Sequence, residues 1–421
     1  MPKHKLERRL GLFSATVAGV GTIIGAGIFV LIGLVASTAG NSLWISFILA
    51  ALAAIFTGLS YAELASMMPK DEGECLYGKR ALGRFIGFFA AVMMVIATIF
   101  AATAVALGFA GYFSSLTGIP FIVLIAASVL LLFTFFNWHG IKDISVINLI
   151  FTLASIFVLI FIIALAFFKG NAVNLMSMPY GWTGIFKGAS LVFFAYLGFE
   201  GIIKLTEETK NPTKTIPRAI ILSILITTVL YIAVAIAAVS ILDWQILAAS
   251  AAPLADVAAT ILGSKAFLIV GIVALFATAN TILLSLVYAS RGLYGLGEEF
   301  KKLKAFTKVG IRDTPTLAIV LTTILALLFL LIGGLEIVAE MTNFSVFIVF
   351  LIVNLSVIVL RYKEEKTKRP FKIPLRIGKF PLVPLLGILT VLFLMVNVKP
   401  IVLLLGTGLV VLMIPIYFLI K

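Results

Sequence analysis

Three glycines interrupt an apolar stretch near the start of the chain, and at this point the backbone itself could bind a ligand. Gly21, Gly25 and Gly27 lie within the nine residues GTIIGAGIF at 21–29. Glycine costs about 1 kcal/mol against alanine inside a helix, so this spacing favours a helix that breaks. A break frees backbone N–H and C=O groups that lipid cannot satisfy and that a small polar ligand can bind. Close packing of two helices through small residues explains the glycines equally well.

A second candidate site combines glycines with a carboxylate. Gly198, Glu200 and Gly201 fall within the nine residues FFAYLGFEG at 193–201, which we expect at mid-depth of an apolar segment. Carboxylates within a membrane are costly and mark function by default. Lys204 follows Glu200 by four residues, the favourable order for an ion pair on a helix. Glu200 is therefore a structural partner of Lys204, a proton carrier or a contact to a substrate side chain.

The composition identifies the elements that must position these residues. Hydrophobic residues make up 62% of the 421 and charged residues 12%, with a mean hydropathy of +1.21. Soluble domains are about half apolar and a quarter charged, and a crossing helix needs about 20 residues. We predict an all-α polytopic membrane protein with 12 transmembrane helices, at about 10–38, 42–67, 84–113, 120–138, 145–168, 185–206, 218–241, 266–294, 315–332, 337–361, 380–397 and 400–420.

The net charge of +14 follows this topology and does not indicate nucleic acid. With twelve helices and a cytoplasmic N-terminus, all but four of the 32 Lys and Arg residues lie on the cytoplasmic side. The exceptions are Lys169, Lys187, Lys265 and Lys399. This positive-inside pattern predicts a multi-pass protein of the cell membrane with both termini in the cytoplasm. The densest basic cluster, Arg361 to Lys379, fits contact with anionic lipids.

The residue inventory gives no support for enzyme or cofactor chemistry. Cys75 is the only cysteine, and neither His4 nor His139 belongs to a cluster at metal-ligand spacing. The chain also has no nucleotide-binding loop, nucleophile elbow or haem motif. We therefore expect no enzyme activity, no cofactor and no bound metal.

The two interrupted segments, the first and the sixth, are five helices apart. Interrupted helices at matching positions in successive five-helix units indicate inverted repeats with a binding site between them. This predicts a cytoplasmic tail at 1–9, a first repeat at 10–168, a second repeat at 185–361 and two further helices within 380–420.

Four motifs resemble those of the amino acid–polyamine–organocation (APC) superfamily, particularly prokaryotic relatives of the cationic amino acid transporters. They are GTIIGAGIF at 21–29, YAELASMMP at 61–69, FFAYLGFEGI at 193–202 and EETKNPTKTIPRAI at 207–220. The similarity spans essentially the whole chain. It implies the broken-helix LeuT-type fold with a 5+5 inverted repeat and two extra C-terminal helices. It also implies a secondary transporter of amino acids or related amines that works by alternating access.

The resemblance places the substrate at the two breaks. An amino acid needs N–H donors for its carboxylate, and the start of a half-helix offers them together with a partial positive charge. Here that start is Ala26, Gly27 and Ile28, although many family members have a hydroxyl residue where Ala26 stands. Carbonyls of the unwound stretches can accept from the ammonium; these belong to Ile23, Phe194, Ala195 and Leu197.

A smaller set of residues is expected to shape the pocket. The family implies that Phe194 is a lid over the substrate, and ordinary packing is the alternative for one of 35 phenylalanines. Thr98, Ala101 and Ala102, with Phe199 and Gly201, are expected to bound the side-chain pocket, and Tyr196 is a further gate candidate. Their sizes indicate neutral apolar amino acids, whereas Glu200 keeps a cationic amino acid or polyamine as the alternative.

The sequence is compatible with more than one mode of ion coupling. Proton-coupled relatives have a lysine in helix five, where this chain has Ser155, and sodium-coupled relatives of the fold use two hydroxyl residues in helix eight, where this chain has Ala279 and Asn280. Carbonyls of Gly21 and Ile24, with Ser155 and Asn280, would give sodium four oxygens. Symport with H⁺ or Na⁺ and exchange without an ion remain alternatives. An ion channel or a structural membrane subunit is the rival class, although no repeated filter residues are evident.

Overall fold

The computed structural model describes Arg8 and residues 10–70, 73–140, 144–206, 208–310 and 312–420. Apart from Arg8, the predicted tail at 1–9 lies outside these residues, as does Glu207 of the fourth motif. The first half of the chain forms helices α1 (Leu12–Ile23), α2 (Ala26–Ala39), α3 (Leu43–Met67), α4 (Gly73–Leu82), α5 (Arg84–Thr117), α6 (Ile122–His139) and α7 (Ile144–Lys169).

In the described part of the second half, the regular elements are helices and one short hairpin. Its helices are α8 (Gly181–Val192), α9 (Pro212–Ile241), α10 (Trp244–Ala249), α11 (Pro253–Leu262), α12 (Ser264–Glu299), α13 (Thr316–Phe329), α14 (Leu335–Lys363), α15 (Leu382–Val396) and α16 (Pro400–Ile420). Strands β1 (Arg376–Ile377) and β2 (Phe380–Pro381) pair antiparallel before α15. Short 3-10 helices cover Gly40–Ser42, Phe193–Tyr196, Phe199–Leu205 and Lys301–Thr307.

Helices occupy each of the twelve segments expected from the sequence. In the part of the chain that the structure describes, nine helical stretches are long and apolar enough to cross a membrane. Four shorter apolar helices of 10–17 residues accompany them: Leu12–Ile23, Pro253–Leu262, Thr316–Phe329 and Leu382–Val396. The chain is therefore a polytopic helical membrane protein.

The sixth segment departs from the continuous helix over 185–206. It begins earlier, as α8, and continues as two 3-10 helices that are separated at Leu197 and Gly198. Leu197 is extended, with φ −64° and ψ 145°. Gly198 has φ 121°, a conformation that glycine adopts without the clash of a Cβ. Gly198, which the sequence predicts to interrupt the segment, therefore lies at the point where the helix is broken.

The connections place short elements at two opposite ends of the bundle. α4 and the β1–β2 hairpin lie at the end that carries the Arg361–Lys379 cluster, which we call the basic side. Two contacts fix α4 there: Lys79 pairs with Glu299, and Arg80 binds both carboxylate oxygens of Glu364 at 2.8 and 2.7 Å. The hydrogen bond from Arg80 lowers the pKa of Glu364. α10 and α11 lie at the other end and pack against α2.

The core brings the first and sixth segments together. α5 lies at its centre and packs most extensively against α12, α14 and α4. α3 and α1 both pack against α9, while α2 packs against α8. Since α2 and α8 adjoin the two interruptions, this packing brings the breaks into contact.

Candidate functional site

The first break lies at Ile24 and Gly25, between α1 and α2. Ile24 has φ −75° and ψ 69°, and Gly25 has φ −102° and ψ −141°, so neither continues the helix. The N–H of Ala26 donates to the Thr281 hydroxyl on α12 at 3.2 Å. No described side chain accepts from the N–H of the two residues that follow, Gly27 and Ile28. The start of α2 thus presents two N–H groups at the positive end of a helix dipole.

The two breaks touch each other backbone to backbone. A Cβ on Gly27 would lie 2.6 Å from the Cα of Ala195, in the first 3-10 helix of segment six. A Cβ on Gly198 would overlap the carbonyl oxygen of Thr22, at the end of α1. Only glycine allows this approach, because the atoms in the way are backbone atoms that cannot rotate aside. The site predicted between the two segments is therefore a continuous unit of irregular backbone.

Side chains from other helices bind the carbonyls that the breaks leave free. The Tyr231 hydroxyl on α9 donates to the carbonyl of Ile23 at 3.0 Å. The Asn343 amide on α14 donates to the carbonyls of Ser190 and Leu191 at 2.7 and 3.1 Å. Irregular backbone at membrane depth persists only where protein or water satisfies it. These contacts satisfy the irregular backbone. Because the Ile23 carbonyl already accepts from Tyr231, it is less available to a substrate ammonium than the sequence predicts.

Glu200 does not pair with Lys204. Its Oε2 accepts from the backbone N–H of Gly198 at 2.9 Å, and the residue is 9% exposed. The Lys204 ammonium lies over the ring of Tyr288 on α12, 4.1 Å from its centroid. The carboxylate therefore caps the second 3-10 helix of segment six. The structure has no ion pair between Glu200 and Lys204, because the Lys204 ammonium contacts Tyr288.

The aromatic residues of the sixth segment are packed between helices. Phe194 is buried beside the break. The Tyr196 hydroxyl donates to the carbonyl of Phe47 on α3 at 3.0 Å. Phe199 contacts Tyr61 and Phe350 edge-on or tilted, with ring centroids 5.7 and 5.4 Å apart. Phe199 thus packs between α3 and α14 in this conformation.

The remaining pocket positions lie on α5. Thr98 and Ala101 are partly accessible, whereas Ala102 is buried. The Thr98 hydroxyl donates within its own helix, to the carbonyls of Met94 and Val95 at 3.1 and 2.8 Å.

Two other residues of the same helices, Thr152 on α7 and Thr281 on α12, lie against the first break. Ser155 donates to the carbonyl of Phe151 in its own helix at 2.8 Å, and Asn280 donates to Asn148 at 2.6 Å. Thr152 faces Gly21 from α7, and Thr281 faces Gly25 from α12. One step along a helix turns a side chain by about 100°, and the sequence could not fix that rotation. Thr281 flanks Asn280 in a run of small polar residues, the one signal that pointed to it.

One face of the breaks is accessible, and it leads to the basic side. Gly198, Gly201 and Lys204 recur every three residues along the 3-10 helix and are all at least partly exposed. Thr22, Gly25 and Thr281 beside them are partly exposed as well. Ala26, Ile28 and Val30, beyond the break, are buried. α10 closes over α2 at that end, where the carbonyl of Leu247 lies 2.7 Å from the Cβ position of Gly33. Among the described residues at the breaks, those toward the basic side are therefore partly exposed, and those beyond the first break are buried.

Comparison with known proteins gives whole-chain matches. A family model described as amino acid permease matches residues 10–420. A branched-chain amino acid permease of Bacillus subtilis is 32% identical over 94% of this chain and 89% of its own length. A methylthioribose transporter of the same organism is 32% identical over 91% and 86%. The cationic amino acid transporter 4 of Mus musculus is 28% identical over 85% of this chain and 60% of that protein.

Proposed function

This chain belongs to the amino acid permease family of the APC superfamily, and we propose that it is a secondary transporter of neutral apolar amino acids. It works by alternating access around the two breaks. The observation that carries the proposal is the pair of N–H groups at Gly27 and Ile28, which donate to no described side chain, at a helix start where Gly27 lies against the backbone of Ala195. A carboxylate is the natural ligand of such a helix start.

The rest of the substrate fits the groups around this position. The carbonyls of Phe194, Ala195 and Leu197 accept from the ammonium, with the Ile23 carbonyl as a shared acceptor. Phe194 covers the substrate. The side chain of the substrate points toward Thr98 and Ala101 on α5. Both residues are small and uncharged.

The charges on the accessible face favour a neutral substrate over a cationic one. Lys204 and Arg291 are exposed near the route from the basic side, and they repel a second positive charge. The carboxylate of Glu200 is engaged by the Gly198 N–H. The branched-chain permease among the relatives is consistent with this preference. The cationic transporter relative keeps cationic amino acids and polyamines as the alternative.

The proposal includes the finer topology. Twelve helices cross the cell membrane, with residues 10–168 and 185–361 as inverted repeats and 380–420 as an addition. The basic side is cytoplasmic, since basic residues accumulate on that side of membrane proteins. Both termini then lie in the cytoplasm.

For coupling, we favour exchange or a sodium site that uses Thr152 and Thr281 over a proton switch at Ser155. A serine hydroxyl does not titrate near neutral pH. Proteoliposomes with imposed gradients separate these modes. Sodium-dependent uptake that is lost in Thr281→Ala supports the ion site, and counterflow without any gradient supports exchange.

The central test is uptake of labelled leucine, alanine and lysine into proteoliposomes. We expect saturable uptake of leucine or alanine that Gly27→Ala abolishes, because its Cβ would meet the Cα of Ala195 at 2.6 Å. Gly408→Ala is the matched control, since its Cβ meets nothing within 4 Å. Uptake of lysine alone would overturn the neutral assignment. Linear flux of inorganic ions would identify a channel.

A further inference from the structure

A small charged cavity opens on the basic side, between the end of α14 and the segment that leads into the β1–β2 hairpin. Its volume is about 90 Å³, which is enough space for several water molecules. Only charged side chains line it: Arg361, Glu365, Arg369, Lys372, Arg376 and Lys379. Glu365 is already paired with Lys379 at 2.7 Å, so the cavity is strongly positive.

One nitrogen of a buried guanidinium that lines this cavity has no hydrogen-bond partner among the described residues. The Nε and Nη2 of Arg361 donate to the two oxygens of Glu63 at 3.0 and 2.5 Å. Its Nη1 is buried and donates to no residue in the part of the chain that the structure describes, and the side chain is only 4% exposed. Leaving a buried charged donor unsatisfied is costly, and native proteins match such groups with protein, water or an ion. Nη1 of Arg361 is therefore a charged donor that is still available to an acceptor.

The neighbouring cations divide into structural and free groups. Arg369 uses Nη1 on the carbonyls of Glu364 and Thr367 and Nη2 on that of Leu360, so it fixes the end of α14. Lys372 and Arg376 are exposed and make no hydrogen bond or ion pair to any described residue. The cavity thus combines one buried donor that has no described partner with two exposed cations.

We propose that this cavity binds a phosphate group, carried either by an anionic lipid headgroup or by a soluble phosphate compound. Nη1 of Arg361 donates to one phosphate oxygen from below, and Lys372 and Arg376 bind the others from the mouth. Guanidinium groups match the geometry of phosphate oxygens and form charge-assisted hydrogen bonds with them. The site is separate from the two breaks and does not depend on the transported substrate.

A bound phosphate would act on the packing of α3 and α14. Glu63 on α3 accepts from Arg361 and also from the backbone N–H of Ile373 at 2.8 Å. Ser66 on α3 exchanges hydrogen bonds with the backbone of Phe371, each of 3.2 Å. A phosphate held by Arg361, Lys372 and Arg376 therefore closes the segment 371–376 over the basic-side ends of both helices.

The test compares two variants of the full-length protein. Lys372→Ala/Arg376→Ala removes both free cations, whereas Lys368→Ala removes an exposed cation of the same segment that does not line the cavity. Titration of the detergent-purified protein with inorganic phosphate, at constant ionic strength and with chloride as reference, measures affinity through the melting temperature. Native mass spectrometry of protein released from nanodiscs of phosphatidylglycerol and phosphatidylcholine measures retained lipid.

We expect the double variant to lose at least about tenfold in affinity, which corresponds to about 1.4 kcal/mol, and Lys368→Ala to match the unmodified protein. Saturable phosphate binding with this pattern identifies a soluble ligand. Retention of phosphatidylglycerol with this pattern, without phosphate binding, identifies a lipid. Equal effects of the two variants would indicate surface screening alone and overturn the proposal, as would the absence of both phosphate binding and lipid retention.

Discussion

At the scale of single residues, the groups that matter act through the backbone. Glu200, Tyr231 and Asn343 each bind a backbone N–H or C=O at one of the breaks. In water such a bond contributes about 0.5–1.5 kcal/mol. At membrane depth the alternative is an unsatisfied amide, so these side chains decide whether the irregular backbone can exist.

Glu200 allows a test of charge against hydrogen bonding. Glu200→Gln keeps an oxygen that accepts from the Gly198 N–H, but it cannot carry a proton. We expect this variant to exchange labelled amino acid at near the original rate, whereas Glu200→Leu, which lacks an acceptor, loses most activity. Counterflow in proteoliposomes measures both. Loss of exchange in Glu200→Gln would show that the carboxylate itself is required.

Tyr231 offers a second test, because Tyr112 is a natural control. Both hydroxyls donate to backbone carbonyls, Tyr231 to Ile23 at the break and Tyr112 to Phe29 inside α2. Each Tyr→Phe change should cost about 1 kcal/mol of stability, measured by unfolding in detergent. Only Tyr231→Phe should also lower the KM for amino acid uptake, because it frees the Ile23 carbonyl to accept from the substrate ammonium. A change in KM of equal size in both variants would contradict a role of the first break in substrate binding.

At the scale of elements, one hydrogen bond couples α12 to the start of α2. Thr281 accepts from Ala26, and valine has the same shape without the oxygen. We expect Thr281→Val to lower the stability of the empty protein by about 1–3 kcal/mol, because a buried N–H loses its acceptor. Thr278→Val is the control, since that hydroxyl donates only within its own helix. Melting curves of the two variants that coincide would contradict the coupling.

The elements also show how far sequence reasoning reaches. The helical segments and the positions of both interruptions could be predicted, because runs of apolar residues and glycine spacing are local signals. The partners of the breaks could not. Thr281 lies 255 residues from Ala26, and Asn343 lies 153 residues from Ser190. Which face of α7 or α12 turns toward the break depends on helix rotation. The sequence therefore predicts Ser155 and Asn280, whereas Thr152 and Thr281 are the residues that lie against the break.

At the scale of the whole molecule, the described residues are partly exposed on one side of the first break and buried on the other. Thr22, before the break, is partly exposed, while Val30, beyond it, is buried beneath the end that carries α10 and α11. A carrier must expose these two positions alternately, whereas a channel exposes both at once. Cys75 is the only native cysteine, so a Cys75→Ser background gives single-cysteine variants at either position.

Thr22→Cys and Val30→Cys in that background report the two sides separately. We expect a membrane-impermeant maleimide to label Thr22→Cys from the basic side in the empty protein and to leave Val30→Cys unlabelled. A substrate that drives exchange should slow labelling at Thr22→Cys and permit labelling at Val30→Cys from the opposite side, since the two states interconvert. Vesicles that contain the protein in right-side-out or inside-out orientation show from which side of the membrane the maleimide reaches each cysteine. Rapid labelling of both positions in the empty protein would describe an open pore, and the alternating-access proposal would then fail.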